Sequence, residues 1–389
     1  MSSRLPTSAR VSVAALASSL LLSGCEVFPP PFGPEPTSST AGVELVYRVE
    51  FDGYVGLQRL STDGLRIFTA TSGSGVSAVS SATGELVWRV NAHVGDPIGE
   101  ASYDNGRVFA AGSTARAWNA VSGVQLWETQ LASTRSAWGH IGHAADGMYY
   151  IGTDSTLFAL NGATGAVQWR VSLGDGWAYS GRIRSVSGAG DALFVCTGEP
   201  LAANGYRTRG HIVAVDRTSG VIRWRHIMEY ETNWNFCMGE PTISGDLVIV
   251  GDAGGNNYVA VDRASGAFRW RMAGDPDWVG PYHAPEAVGD TLFGASADEY
   301  VTAMNRLTGA VLWRTNVGGS VWHVARCGKV LLSQAYSIDV LDPKTGAVLA
   351  PSISIAYSRD DLIASRILIH NNFAYAVGNG RFYKWRCPT

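Results

Sequence analysis

AMNRLTGAVLW, residues 303–313, is the stretch of sequence that decides the fold. Strand-forming residues lead to an Asn that can bond its own backbone, then to a Gly that can take a positive φ, then to a second β-prone run that ends in Trp. This is the pattern of a β-hairpin. It occurs in six copies, the first with Ser at the Asx position, which run from Ala78 to Trp88, Ala117 to Trp127, Ala159 to Trp169, Ala214 to Trp224, Ala260 to Trp270 and Ala303 to Trp313. A degenerate seventh copy runs from Val340 to Ala350.

The spacing of the repeats indicates a β-propeller. The repeated glycines are about 37 to 55 residues apart, a period typical of solenoids, propellers and arrays. The chain shows neither the 3.6-residue periodicity of a helical solenoid nor the Gly-His and Trp-Asp pairs of WD40 units. Eight short turns precede apolar strands, at Asp63-Gly64, Asn105-Gly106, Asp146-Gly147, Gly190-Asp191, Gly245-Asp246, Gly289-Asp290, Cys327-Gly328 and Asn371-Asn372. Eight units are therefore predicted, although only seven hairpins are complete.

The missing outer strand lies at the other end of the chain. Val46-Tyr47-Arg48-Val49 looks like Val87-Trp88-Arg89-Val90 without its preceding turn. We predict an all-β protein, an eight-bladed β-propeller of four-stranded antiparallel blades over residues 43–389. The N-terminal outer strand would pair with the C-terminal blade and close the ring, which leaves no open sheet edge there. We assign the six repeat tryptophans a structural role, packed between adjacent blades.

The N-terminal segment predicts export and lipidation. Arg4 and Arg10 precede an apolar run, Val11 to Leu22, that is too short to span a bilayer as a mature helix. Leu22-Ser23-Gly24-Cys25 resembles the lipobox of bacterial lipoproteins, so residues 1–24 are read as a signal peptide and Cys25 as the lipidation site. Residues 25–42 would form a proline-rich tether. Glu26, rather than Asp, follows the cysteine, which favours a location in the cell envelope, at the outer membrane and facing the periplasm.

Charge and cysteines limit the partners and the redox state. Without Arg4 and Arg10, 28 basic residues remain against 33 acidic ones, so nothing indicates nucleic-acid binding. An exported compartment permits disulfides. The four other cysteines allow three pairings. The propeller topology favours Cys196 with Cys237 on one face and Cys327 with Cys387 on the opposite face, each between adjacent blades.

One face of the predicted ring carries the unusual side chains. In each blade the strands are called A to D from the axis outwards, so the D–A and B–C connections share this face. Five consecutive D–A loops each contain a Trp outside the repeat, and Thr197 to Gly210 would be a long B–C loop. The predicted partner or ligand face comprises Trp138, His140, Trp177, Tyr179, Arg182, Glu199, Arg207, Arg209, Trp234, Asn235, Trp278, Tyr282, His283, Trp322 and His323. These loops would either bind a molecule or plug the mouth of the central channel.

Catalytic and metal motifs are weak. His140-x-x-His143 has a spacing that metals use, but no acidic or thiolate residue accompanies it in the loop, so no metal site is predicted. No Gly-x-Ser-x-Gly elbow is present. The acids Glu199, Glu240, Asp275, Asp277 and Glu286 could act as acid or base on the loop face, but no pair stands out, and a solvated or structural role is favoured for each.

The repeat resembles the pyrroloquinoline-quinone (PQQ) propeller repeat over nearly all of residues 44–387. Quinoprotein dehydrogenases share it and use PQQ with Ca²⁺, but their vicinal Cys-Cys pair is absent here. The resemblance is better to the BamB family of outer-membrane assembly lipoproteins, which have the repeat without the cofactor. It implies a non-enzymatic scaffold with a protein partner at the outer membrane and no cofactor. The alternatives are a saccharide-like or other small ligand on the Trp-rich face and, less favoured, a PQQ-dependent dehydrogenase.

Overall fold

The described part of the chain is a ring of eight antiparallel sheets. The structure is a computed structural model that describes residues 39–51, 59–71, 75–91, 100–131, 142–153, 155–174, 183, 185–201, 208–232, 237–252, 257–272, 283, 285–335, 337–354, 365–378 and 380–389. Residues 36–389 form one compact unit. Eight sheets are present, and all pairings between their strands are antiparallel. The predicted all-β, eight-bladed propeller is therefore confirmed.

The strands follow the chain in groups of four from the axis outwards. Two come first, β1 (Ser39–Thr40) and β2 (Val43–Glu50). Blade 1 contains β3 (Ser61–Thr62), β4 (Arg66–Thr71), β5 (Gly75–Ser80) and β6 (Leu86–Val90), and blade 2 contains β7 (Ser102–Asp104), β8 (Arg107–Ala111), β9 (Thr114–Asn119) and β10 (Gln125–Gln130). Blade 3 contains β11 (His143–Ala145), β12 (Met148–Thr153), β13 (Thr156–Asn161) and β14 (Val167–Ser172). Blade 4 contains β15 (Ser185–Ala189), β16 (Ala192–Pro200), β17 (Thr208–Asp216) and β18 (Ile222–Thr232).

The second half of the ring has the same plan. Blade 5 contains β19 (Cys237–Ser244), β20 (Leu247–Asp252), β21 (Asn257–Asp262) and β22 (Phe268–Arg271). Blade 6 contains β23 (Glu286–Val288), β24 (Thr291–Ala295), β25 (Tyr300–Asn305) and β26 (Val311–Asn316). Blade 7 contains β27 (His323–Cys327), β28 (Val330–Gln334), β29 (Ser337–Leu341) and β30 (Val348–Ser354). Blade 8 contains β31 (Leu368–His370), β32 (Phe373–Gly378) and β33 (Arg381–Arg386). No membrane-spanning helix was found among the residues that the structure describes.

Burial follows the order of strands within a blade. In blade 5 every residue of β20 is buried, and five of the six residues of β21 are buried. The outer strand β22 exposes two of its four residues. The two middle strands are covered on both faces because neighbouring blades pack against each side. The core is consequently a series of apolar layers between blades.

The repeat tryptophans join each blade to the next. Trp127 of blade 2 donates its Nε1–H to the carbonyl of Gly162 in blade 3, at 2.9 Å. A Cβ added to Gly165 of blade 3 would lie 2.6 Å from the same indole. The other five repeat tryptophans also donate to a carbonyl in the next blade, Trp88 to Ala120, Trp169 to Arg217, Trp224 to Arg263, Trp270 to Arg306 and Trp313 to Pro343. The Gly of each repeat therefore has two roles. It allows the positive φ of the turn, and it leaves the space that an aromatic ring of the preceding blade fills.

The two ends of the chain close the ring as predicted. Strand β2 pairs with β33 in the sheet order β1-β2-β33-β32-β31. Tyr47 of β2 takes the place of the tryptophan, because its ring lies against Gly84 and its hydroxyl lies 3.3 Å from the carbonyl of Ser81. The strand β1 adds a fifth strand that the repeat did not predict.

The predicted disulfide between blades 7 and 8 is present. Cys327 and Cys387 are bonded, with their Cα atoms 5.0 Å apart. Cys196 is also disulfide-bonded. Cys237 begins β19, and its side chain lies outside the described residues, so its pairing with Cys196 stays a prediction.

Blade 4 differs from the loop-rich prediction. Residues Thr197 to Gly210 do not form one long loop, because β16 continues to Pro200 and β17 begins at Thr208. The ladder between them extends through Thr197↔His211 to Pro200↔Thr208. The outer strand β18 likewise continues to Thr232. Backbone pairing satisfies polar groups that a loop would leave to water, and it lengthens all three strands on the loop face.

Candidate functional site

Charged side chains meet at the axis of the ring. Each innermost strand begins on the loop face, so the residues at these strand starts converge there. A cavity of about 420 Å³ lies among them. Its polar lining includes Arg59, His143, Glu240, His283, Glu286, His323 and Arg366, which come from six blades.

A buried carboxylate lies between two guanidinium groups in this cavity. Glu240 is 4% exposed, and its Oε1 lies 2.7 Å from Nη1 of Arg366. The other oxygen, Oε2, forms an ion pair with Nη2 of Arg59. Glu100 is also buried, and its Oε1 lies 3.8 Å from Nη2 of Arg366. One glutamate thus joins blades 1, 5 and 8 across the axis, and a second contributes from the start of blade 2. We call these four residues, Arg59, Glu100, Glu240 and Arg366, the axial ion cluster.

Burial and the two arginines determine which carboxylates are ionised. Burial alone would raise the pKa of Glu240, but the charges of Arg59 and Arg366 outweigh it and lower that pKa. For Glu100, burial raises the pKa in spite of Arg366. Burial also raises the pKa of Glu286. Of these three carboxyl groups, Glu240 is therefore the one whose charged form is favoured.

The three histidines around the cavity favour their neutral form. Burial, reinforced by Arg59, lowers the pKa of His143 to about 4. Burial, reinforced by Arg366, lowers the pKa of His323 to about 3 and that of His283 well below its usual value. Each imidazole can therefore donate one hydrogen bond and accept another at neutral pH.

Two of the predicted face residues belong to this site. His283 and His323 line the axial cavity. Trp322 precedes His323, and its backbone N–H donates to the carbonyl of Gln334 at 2.8 Å. Arg209 lies on β17, opposite Glu199 and Glu231 in the ladders of blade 4, and does not line the cavity. Of Glu199 only the backbone is described. The other predicted face residues lie outside the described part of the chain, namely Trp138, His140, Trp177, Tyr179, Arg182, Arg207, Trp234, Asn235, Trp278 and Tyr282.

Sequence reasoning missed three members of the axial ion cluster. Arg59, Glu100 and Arg366 were not candidates, and Glu240 was only one acid among several. Glu100, Glu240 and Arg366 each stand five residues before the first residue of an A–B turn, and Arg59 stands four before one. A charged residue four or five positions before an A–B turn was the available signal in the sequence.

The described residues do not fit PQQ with Ca²⁺. No group of three or more His, Cys, Asp or Glu side chains in the described ranges is arranged to hold a metal ion. At the axis, Glu240 already faces two guanidinium groups, which would repel a further cation. The predicted absence of a cofactor stays a prediction.

A second cavity, of about 430 Å³, lies on the opposite face between blades 3 and 4. Arg217 lines part of its wall, and all three nitrogens of its guanidinium group have partners. Its Nε donates to the hydroxyl of Tyr150 at 3.0 Å, and its Nη2 donates to the carbonyl of Ala145 at 2.9 Å. Its Nη1 pairs with Asp146 at 2.7 Å. This arginine ties two blades together.

The similarity to known proteins supports the propeller fold that the repeat predicts. A family model described as outer membrane protein assembly factor BamB matches residues 208–389, and one for the EMC1 N-terminal β-propeller domain matches residues 51–200. The crystal structure of BamB from Moraxella catarrhalis superposes with a TM-score of 0.66, at 18% identity, over 88% of this chain and 97% of that chain. The chain is an eight-bladed propeller that resembles the BamB family.

Enzymes are also among the similar proteins. Quinohemoprotein alcohol dehydrogenase from Comamonas testosteroni superposes with a TM-score of 0.69, at 12% identity, over 88% of this chain and 76% of that chain. Tetrathionate hydrolase from Acidithiobacillus ferrooxidans is 23% identical over 261 residues, which are 63% of this chain. The match spans 50% of the length of that hydrolase. At such identities these similarities establish the fold alone.

Proposed function

We propose that this protein is a lipid-anchored, non-enzymatic binding propeller of the cell envelope, which holds a partner protein during outer membrane protein assembly. The observation that carries the proposal is the agreement between the BamB family model over residues 208–389 and the match to 97% of a BamB chain. The quinohemoprotein dehydrogenase, by comparison, is matched over 76% of its length. The lipobox at Cys25 supports attachment to the membrane, with the propeller facing the periplasm.

Blade 4 offers the docking surface that we favour. Its outer strand β18 has 11 residues, whereas β6, β10 and β14 have five or six. It is the last strand of its sheet, and its exposed edge is the kind of surface to which a partner can add a strand. Ile227 lies on this strand and is 52% exposed. An extended edge with an exposed apolar side chain suits an outer membrane protein segment that has not yet folded.

The docking surface is tested by crosslinking and pull-down from membranes. Ile227→Arg should reduce recovery of the partner several-fold, because a charge replaces an apolar contact. Leu126→Arg is the matched control, since Leu126 is 44% exposed on the outer strand of blade 2, and it should leave recovery unchanged. The proposal fails if the native protein recovers no outer membrane or assembly protein, or if both variants behave alike.

Attachment to the membrane has its own test. Cys25→Ala should move the protein from the membrane fraction to the soluble fraction of the envelope, because it removes the acylated thiol. Density separation of the two membranes should place the native protein in the outer one. Retention of the variant in the membrane fraction would contradict a lipid anchor at Cys25.

A role in small-molecule binding or conversion is the second candidate, favoured by the axial cavity and its buried charges. The saccharide alternative rests mainly on Trp138, Trp177, Trp234 and Trp278, and thermal shifts with saccharides test it. Hydrolysis of tetrathionate by the purified protein would favour the activity of the hydrolase relative. Quinone absorbance with dye-linked alcohol oxidation would favour the dehydrogenase.

A further inference from the structure

Three buried side-chain nitrogens around the axial cavity lack a hydrogen-bond partner. They are Nε of Arg366, Nδ1 of His283 and Nδ1 of His323, and no group in the described structure satisfies them. A buried polar atom left without a partner is costly, and folded proteins retain few of them. Three such atoms on the wall of one cavity indicate that a bound molecule completes their hydrogen bonds.

The chemistry of these atoms defines what that molecule must present. An arginine Nε–H is a donor only, so its partner must be an acceptor. Each neutral imidazole can place its proton on Nδ1 and donate as well. Arg366 is 8% exposed and held at 2.7 Å from Glu240, so its direction is fixed. A ligand that is rich in acceptor oxygens would satisfy all three nitrogens together.

The local charge favours an anion over a neutral acceptor. Arg59 and Arg366 share Glu240, while the contact of Arg366 with Glu100 is longer, at 3.8 Å. Two guanidinium groups therefore share one carboxylate in close contact, which leaves positive charge beside the unsatisfied donors. Burial is the main cause of the lowered pKa values of His143 and His323, and the charges of Arg59 and Arg366 add to it.

We propose that the axial cavity binds a small molecule bearing a carboxylate, sulfonate or phosphate group, with Arg366 Nε, His283 and His323 as its hydrogen-bond donors. The cavity of about 420 Å³ is in the range of small-molecule sites. The proposal goes beyond the proposed function, because docking on the outer strand of blade 4 does not require a molecule at the axis.

The test uses the mature protein with defined probes. Succinate, ethane-1,2-disulfonate and inorganic phosphate are titrated by calorimetry and by thermal shift at constant ionic strength, with glucose as a neutral probe. At least one anion should bind saturably at millimolar concentration or below, and glucose should not bind. The three probes distinguish the three oxyanion classes. Saturable binding of glucose alone, or of none of the four, overturns the proposal.

Two variants assign the site. Arg366→Lys keeps the positive charge beside Glu240 but removes the Nε donor, and His323→Phe removes an imidazole donor at similar size. Each should weaken anion binding at least tenfold. Arg217→Lys, on the opposite face, is the control and should leave the affinity unchanged. If Arg366→Lys does not fold, His323→Phe decides alone. Unchanged affinity in the folded variants refutes the axial site, whereas the pull-down with Ile227→Arg tests the partner surface separately.

Discussion

Replacing Gly165 by Ala should show how strongly the ring depends on contact between blades. Gly165 has a φ of +73°, and an added Cβ would lie 2.6 Å from the indole of Trp127 and 2.7 Å from Oγ1 of Thr129. The indole cannot move aside freely, because Trp127 is buried and its Nε1 donates to the carbonyl of Gly162. The substitution therefore combines backbone strain with overpacking between blades 2 and 3.

A matched glycine separates the two effects. Gly147, in the same blade, has a φ of +77°, but a Cβ there would meet nothing within 4 Å. Gly147→Ala should cost about 1 kcal/mol, the strain of a left-handed conformation. Gly165→Ala should cost about 2–4 kcal/mol, because overpacking adds roughly 1–3 kcal/mol. For a domain of about 350 residues, 1 kcal/mol corresponds to roughly 1.4 °C in Tm.

Thermal unfolding of the two variants is the assay. The Tm should fall by about 1–2 °C in Gly147→Ala and by about 3–6 °C in Gly165→Ala. In a Trp127→Leu background the excess loss from Gly165→Ala should shrink, because the indole that it meets is gone. Equal losses in the two glycine variants, or an excess that Trp127→Leu does not reduce, would refute the packing argument.

Three further outcomes are expected from the closing blade and the axis. Replacing Cys327 and Cys387 together by Ser should destabilise the protein by about 4 kcal/mol on the chain-entropy model for a sequence separation of 60, measured by denaturation without reductant. Lys384→Met should cost roughly 1–3 kcal/mol, because Nζ donates to the carbonyl of Ser81 at 2.8 Å and lies 4.0 Å from the centre of the Phe373 ring, and amide exchange in β33 should then accelerate. Folding lowers the pKa of His143 from about 6.5 to about 4, so the unfolded chain binds more protons between these values and this contribution to stability falls as the pH decreases through that window. A profile of Tm against pH should therefore be flatter in His143→Gln than in the native protein, and an unchanged slope would contradict a buried neutral imidazole.

The sequence was informative wherever structure is local. A hairpin needs only its own turn residues and strands, so the repeat predicted the blade number and the tryptophan packing. The long-range pairing of Val46–Val49 with the C-terminal blade was predicted because one outer strand was missing from the last repeat. The pairing of Cys327 with Cys387 followed because strand direction alone assigns a loop to one face. The extension of β16, β17 and β18 was missed because continued pairing there carries no repeat signal.

The axial ion cluster could not be derived in the same way. Arg59, Glu100, Glu240 and Arg366 come from four blades, and only ring closure brings their side chains together. Each alone looks like a charged residue at the edge of a loop. Their mutual pairing, and the burial of Glu100, Glu240 and Arg366, depend on the assembled ring, which local sequence does not encode.

Closure by the two chain ends also determines how the molecule would bear mechanical load. If the chain is anchored at Cys25 as proposed, tension along the N-terminal segment would pass through β1 and β2 to the ladder between β2 and β33, from Glu44↔Arg386 to Glu50↔Arg381. After the short pairing of β1 with β2, that ladder would be the next part to yield under pulling. Cys387 directly follows β33 and is bonded to Cys327, so the covalent link restrains the strand that remains when β2 is pulled away.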